Sequence, residues 1–284
     1  MRTNAIVRII LFSIAIVVLL TILTVGIAAD QLMFRSSDTD QEGMVSSTGS
    51  ISAAEIRNIS IDWAAGSITI RPADVTEITL TESCETESDP MVWLQAGSTL
   101  KVTYTKDERF FHVGSTPSKD LLIEVPRDWS CDELEIETAA AGLIVDSLTI
   151  GKVDFDGASG DFDFQNCTVD TLDVDTASGD IRFCGSLNTM DCDAVSADCE
   201  INLSNHPSRI EMDMASGDLD LTLPENCGFT AIFEALSGDI NSDFEMNVIR
   251  NGFTHGDGSC RIDISALSGD VYIRKATEAW NCDH

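Results

Sequence analysis

Four aspartates, Asp156, Asp175, Asp193 and Asp213, recur at steps of 19, 18 and 20 residues, and Glu234 continues the series. A second series runs through Asp161, Asp180, Asp198, Asp218, Asp239 and Asp270. Carboxylates brought together at a fixed repeat offer hard oxygen ligands, and calcium is the ion that such a set suits. The other chemistry open to them is a solvated acidic face whose mutual repulsion is screened by salt. The glycine-rich nonapeptide of calcium-binding β-rolls is absent. A screened face with no cofactor is therefore the expectation, and calcium on the column Asp156, Asp175, Asp193 and Asp213 is the alternative.

Catalytic chemistry is poorly provided for. Five of the second series lie in Ser-Gly-Asp triplets and Asp198 in Ser-Ala-Asp, in each a hydroxyl beside a carboxylate. A nucleophilic serine needs a base within reach, usually histidine. Only His112, His206, His255 and His284 occur, none near another and none in a zinc motif. There is no Gly-x-Ser-x-Gly elbow and no phosphate-cradling glycine loop. A triplet repeated along the chain points to turn geometry, so the chain reads as a non-enzyme. The enzyme alternative is a polysaccharide lyase or hydrolase on a β-solenoid, which needs two carboxylates at a set separation. It also needs aromatic groups to hold sugar, and Tyr272 is the clearest outward one. Nine cysteines show no Cys-x-x-Cys spacing. Cys192 and Cys199 fall in apolar columns, where cysteine acts as a small hydrophobe. Free structural thiols are expected over disulfides.

The carboxylates belong to a repeated phrase. LDVDTASGD (residues 172–180) recurs as VDFDGASGD, MDCDAVSAD, IEMDMASGD, AIFEALSGD and IDISALSGD. The glycine slot falls at Gly160, Gly179, Ala197, Gly217, Gly238 and Gly269, with weaker copies at Gly66 and Ala141. Five residues before it stand Phe155, Val174, Cys192, Met212, Phe233 and Ile264, and two after it Phe162, Ile181, Cys199, Leu219, Ile240 and Val271. Acidic residues occupy the alternate positions, so each segment is a strand with one buried face. Ser-Gly-Asp is a tight turn, in which glycine takes positive φ without a Cβ clash. Ala197 must bend differently or accept strain.

One such repeat cannot bury its apolar face alone, but repeats stacked at about 4.8 Å can. The fold expected is all-β, a single-domain β-solenoid-like stack of 18–21-residue coils. A leading β layer, residues 56 to about 126, precedes them. The competing fold is an antiparallel sandwich whose turns share Ser-Gly-Asp. DFEMNVIRNGFTH carries the turn pair Asn251-Gly252 and reads as an excursion from the last coil, or its cap.

Residues 9–29 are uncharged and mostly apolar, long enough as a helix to span about 31 Å. Arg2 and Arg8 before them and Asp30 after them favour an inside N-terminus. Residues 1–30 are expected to be a transmembrane signal-anchor rather than a cleaved signal peptide, residues 31–55 a flexible stalk, and residues 56–284 a β-repeat ectodomain. The formal net charge of −31, from 48 acidic and 17 basic residues, excludes nucleic acid as a partner.

The phrases LLIEVPRDW, the Ser-Gly-Asp repeats and GDGSCRIDISALSGDVYIRK together resemble the bacterial putative-adhesin family of β-strand repeat domains, also called Toast-rack. The resemblance spans about residues 56–275. It implies a membrane-linked or surface-exposed β-repeat protein without recognised catalytic residues, some relatives of which accompany envelope-stress systems. The chain departs from the pattern in its cysteine content, at Ala197 and at Ala141. The function expected is that of a membrane-anchored, extracytoplasmic sensor, scaffold or binding module. Its partner would be an envelope protein or a glycan, and the alternative is a surface adhesin for external ligands.

Overall fold

The computed structural model describes residues 43–85, 89–104, 116–250 and 252–276. The apolar run at residues 9–29 lies outside them. Among the described residues no helix is long and apolar enough to cross a membrane.

The chain opens with β1 (Met44–Val45), β2 (Thr48–Ser52), a 3-10 turn at Ala53–Glu55 and the long β3 (Asn58–Ala73). Next come β4 (Glu77–Cys84), β5 (Val92–Ala96), β6 (Thr99–Thr103) and β7 (Lys119–Pro126). The repeats supply β8 (Cys131–Asp146), β9 (Thr149–Gly157), β10 (Phe162–Ser178), β11 (Ile181–Ser196), β12 (Cys199–Leu203), β13 (Arg209–Ser216) and β14 (Leu219–Leu223). The chain closes with β15 (Phe229–Ser237), β16 (Ile240–Ser242), β17 (Asn247–Ile249), β18 (Gly252–His255), β19 (Cys260–Ser268) and β20 (Val271–Lys275).

Each coil has two arms that meet at the Ser-Gly-Asp corner, and the arms stack into two columns. The first runs β6, β3, β8, β9, β10, β11, β13, β19, β15. The second runs β7, β3, β8, β10, β11, β12, β14, β20, β16. Every pairing in these two runs is parallel, which rules out the antiparallel sandwich. The apolar sides of both columns share one core. Phe155 and Phe162, from opposite sides of a corner, meet edge-to-face at 5.1 Å.

The corners explain the glycines. Gly66, Gly160, Gly179, Gly217, Gly238 and Gly269 have φ between 116° and 147°. A Cβ on Gly179 would stand 2.1 Å from the Gly160 carbonyl oxygen, so adjacent corners touch through backbone. Ala197 and Ala141 are not at positive φ. Of the two outcomes open to Ala197, the corner bends differently rather than holding a strained alanine.

The leading layer is continuous with the stack, as its alternating strands suggest. β3 is a complete coil, with Gly66 beside Ala141 in register. β4 and β5 are turned back antiparallel against β7 and β6. Residues 44–52, placed by composition in the stalk, pair through β1 with β5 and through β2 with β4.

Coil order departs from chain order at the far end. β17 and β18 form a hairpin, and β18 runs back antiparallel along Phe229–Ala231. The chain then inserts β19 and β20 between the coil at residues 209–223 and the coil at residues 229–242. Burial gives the reason. Ile262, Ile264 and Ala266 are all buried, whereas Phe233 and Ile240 stay partly exposed and Leu236 is 65% exposed. The more regularly apolar coil takes the interior place.

Candidate functional site: a double file of carboxylates

The outward positions of the first column carry two parallel files of acids. One contains Asp62, Glu137, Asp156, Asp175, Asp193 and Asp213, each paired in register with the next. Ser265 follows, and Glu234 lies beyond it because of the inserted coil. The second file, two residues earlier on each strand, holds Glu135, Asp154, Asp173, Asp191, Glu211 and Asp263. The four aspartates expected to share a column do so. Asp62 and Glu137 extend it, and the spacing argument missed them.

Cations pair with members of the second file. Lys152 pairs with Asp154 at 2.5 Å, Arg209 with Glu211, and Arg261 with Asp263. At the same strand position the two intervening rungs carry Thr171 and Thr189. The middle of the face is where protons are held most tightly. Burial, then the charges of Asp156 and Asp173, raise Asp175 to about 6. Burial, then Asp175 and Asp213, raise Asp193 to about 8. Asp156 and Asp173 are raised for the same reasons. Burial and like charges one rung apart thus favour the protonated form of these carboxyls.

The Ser-Gly-Asp aspartates do a different job. The Asp161 carboxylate accepts the Asp180 amide at 3.0 Å, Asp198 that of Asp218 at 3.0 Å, Asp218 that of Asp270 at 2.8 Å, and Asp270 that of Asp239 at 2.9 Å. Each side chain secures the next corner. At the altered Ala197 corner, Asp180 pairs with Arg182 at 2.6 Å. The Ser159 hydroxyl donates to the Ala139 carbonyl. His206 bonds Asn226 Oδ1, and His255 bonds the Glu245 carbonyl. Arg274 covers Tyr272 at 5.1 Å, on the column away from the carboxylate files.

Among the described residues no group of three or more His, Cys, Asp or Glu is disposed to hold a metal ion. Cys131, Cys167, Cys192, Cys199, Cys227 and Cys260 are buried free thiols; Cys84 donates to the Ser118 carbonyl, and Cys184 is disulfide-bonded, against the expectation of free thiols. Burial pushes the Cys131, Cys167 and Cys260 thiols up to about 12.

The leading layer holds one buried ion pair. Lys119 Nζ lies 2.9 Å from Glu82 Oε1, with side chains 0% and 4% exposed. Lys119 also donates to the Asp89 carbonyl at 2.6 Å and sits 4.4 Å from the centre of the Tyr104 ring.

These features define an all-β column of parallel coils with one acidic flank. The Toastrack family profile matches residues 56–189 and again residues 145–274. The chain belongs to the Toastrack family. It is similar to a solved putative adhesin from Bacteroides fragilis NCTC 9343, at 16% identity and a TM-score of 0.45, covering 81% of this chain and 96% of that one. It is similar also to a putative adhesin from Parabacteroides distasonis ATCC 8503, at 13% identity and a TM-score of 0.42, covering 82% and 98%. A putative lipid binding protein from the same strain matches at 14% identity and a TM-score of 0.35, covering 85% and 99%. No curated protein matches the chain.

Proposed function

We propose that the chain is a non-catalytic binding module of the cell envelope, a sensor or scaffold held to the membrane by residues 9–29. The observation that carries this reading is the unbroken register of Asp156, Asp175, Asp193 and Asp213 on a rigid parallel column. A file of charges fixed at the rung spacing of about 4.8 Å is preorganised, so a cationic surface can meet it without ordering loops first. Among the described residues, neither carboxylate file includes an aromatic side chain, which favours binding over glycan cleavage.

A second reading, a surface adhesin for external ligands, draws support from the outermost coil. Leu236 and Val248 there are 65% and 80% exposed. The test is a pull-down of the tagged full-length chain in detergent against its own envelope fraction and a panel of host glycans. Its comparison is a variant with Asp156, Asp175, Asp193 and Asp213 changed to Asn. An envelope protein retained by the parent and lost by the variant supports the first reading. Glycan binding alone overturns it in favour of the second. Turnover of a glycan would overturn both.

A further inference from the structure

Sulfur gathers at one level of the core. Cys192 and Cys199 stand on opposite arms of a single coil, in the two columns where Phe155 and Phe162 meet across the corner. Cys199 Sγ donates to Met214 Sδ on the next rung at 3.8 Å. All three side chains are buried, at 0%, 3% and 1% exposure. Met212, in register with Cys192, adds a fourth buried sulfur.

This concentration is confined to two rungs. The Cys192 column otherwise holds Phe155, Val174 and Ile264, and the Cys199 column Phe162, Ile181, Leu219 and Val271. In the Met214 column Trp63 stands at the first coil, then the small residues Thr138, Gly157, Thr176 and Ala194, with Ala266 beyond Met214. Between Ala194 and Ala266 the long Met214 thioether reaches the Cys199 thiol.

We propose that Cys192, Cys199 and Met214 form a three-sulfur site for a soft monovalent cation of the copper(I) class. Thiolate and thioether ligands select such ions over hard ones. With metal–sulfur bonds of about 2.3 Å, ligands in trigonal array stand about 4 Å apart, close to the 3.8 Å between Cys199 Sγ and Met214 Sδ. Binding forms bonds from the ion to Cys192 Sγ, Cys199 Sγ and Met214 Sδ. The two thiol S–H bonds break and their protons pass to water, with no change of oxidation state. Burial disfavours bare thiolates, so only an ion with strong covalent affinity for sulfur can displace the protons.

The test is native mass spectrometry of the full-length, reduced chain under anaerobic conditions. Copper(I) is supplied as its acetonitrile complex, both to folded protein and during refolding from urea. The result expected is one copper held per chain after gel filtration, with two protons displaced and a sulfur-only shell by X-ray absorption. The double variant Cys192→Ala/Cys199→Ala should lose it, whereas Cys227→Ala should not. Met214→Leu preserves an apolar core, and loss of a ligand should weaken retention at least about tenfold. Should the double variant misfold, the Met214→Leu comparison decides. No retained copper in the parent, retention unchanged by Met214→Leu, or oxygen and nitrogen neighbours in the shell would each overturn the proposal.

Discussion

Gly217 lies against Ala197 so closely that a Cβ built on it would stand 1.9 Å from the Ala197 carbonyl oxygen. Its φ is 127°, while Ala197 is not in the positive range. The two slots align in sequence and are not interchangeable. Gly217→Ala should cost roughly 1–2 kcal/mol for the backbone conformation, and more for the clash with a backbone atom that cannot move aside. Ala197→Gly should cost under about 1 kcal/mol, the usual entropic loss. Urea unfolding of both variants checks the asymmetry, and equal losses would contradict the corner geometry.

The same pair shows how far the sequence could be read. Spacing and alternation specify which residues form a rung and which side each faces, because both follow from local periodicity. Order among rungs does not follow when a hairpin intervenes, and so the place of the coil carrying Gly269 between those carrying Gly217 and Gly238 was invisible. Asp62 and Glu137, though missed, were legible by the same rule, each standing four residues before a weaker slot, Gly66 and Ala141. Lys119 did leave a signal. It stands in phase with Leu121, Ile123 and Val125, all buried, and an ionisable group in that phase demands a buried partner.

The acidic face makes stability depend on pH in the direction opposite to ordinary acid denaturation. Asp175 and Asp193 titrate at about 6 and about 8 in the fold, above the carboxylate's ordinary 3.8. The folded state therefore binds their protons more tightly than the unfolded chain does. Their stabilising contribution is complete below the unfolded value and is lost as pH rises through about 6 and then about 8. Thermal melts should show the midpoint climbing as pH falls from above 8 toward 5. Asp193→Asn should raise stability at pH 8 by roughly 0.2–1 kcal/mol, the scale of a relieved like-charge pair. A midpoint that falls over that window in the parent would refute this account of the face.

Calcium provides a separate check on the same carboxylates. The files are linear and carry cations at Lys152, Arg209 and Arg261, and screening is enough to relieve their repulsion. The melting midpoint in calcium chloride should therefore equal that in sodium chloride at matched ionic strength, with chelator making no difference. A calcium-specific rise, lost in a variant combining Asp175→Asn with Asp193→Asn, would establish the ion site in place of the screened face.

The Lys119–Glu82 pair tests what holds the leading layer to the stack. The Lys119 carbonyl accepts the Trp63 indole N–H at 2.9 Å, and a Cβ on Gly66 would stand 1.9 Å from that oxygen. The strand carrying the buried charge is thus the one that seals the first coil. Removing the amine alone leaves the buried Glu82 carboxylate, which accepts the Met91 amide at 2.8 Å, without its counter-ion, so Lys119→Ala should cost about 3–5 kcal/mol. Replacing both partners by apolar residues of similar volume, Lys119→Met with Glu82→Leu, removes the charge and its desolvation together. That double variant should recover most of the loss, because a buried ion pair gains little over good packing. Chemical denaturation of the two single variants and the double closes the cycle. Additive losses would mean that the pair does not act as a unit, and that the layer is held by its apolar contacts alone.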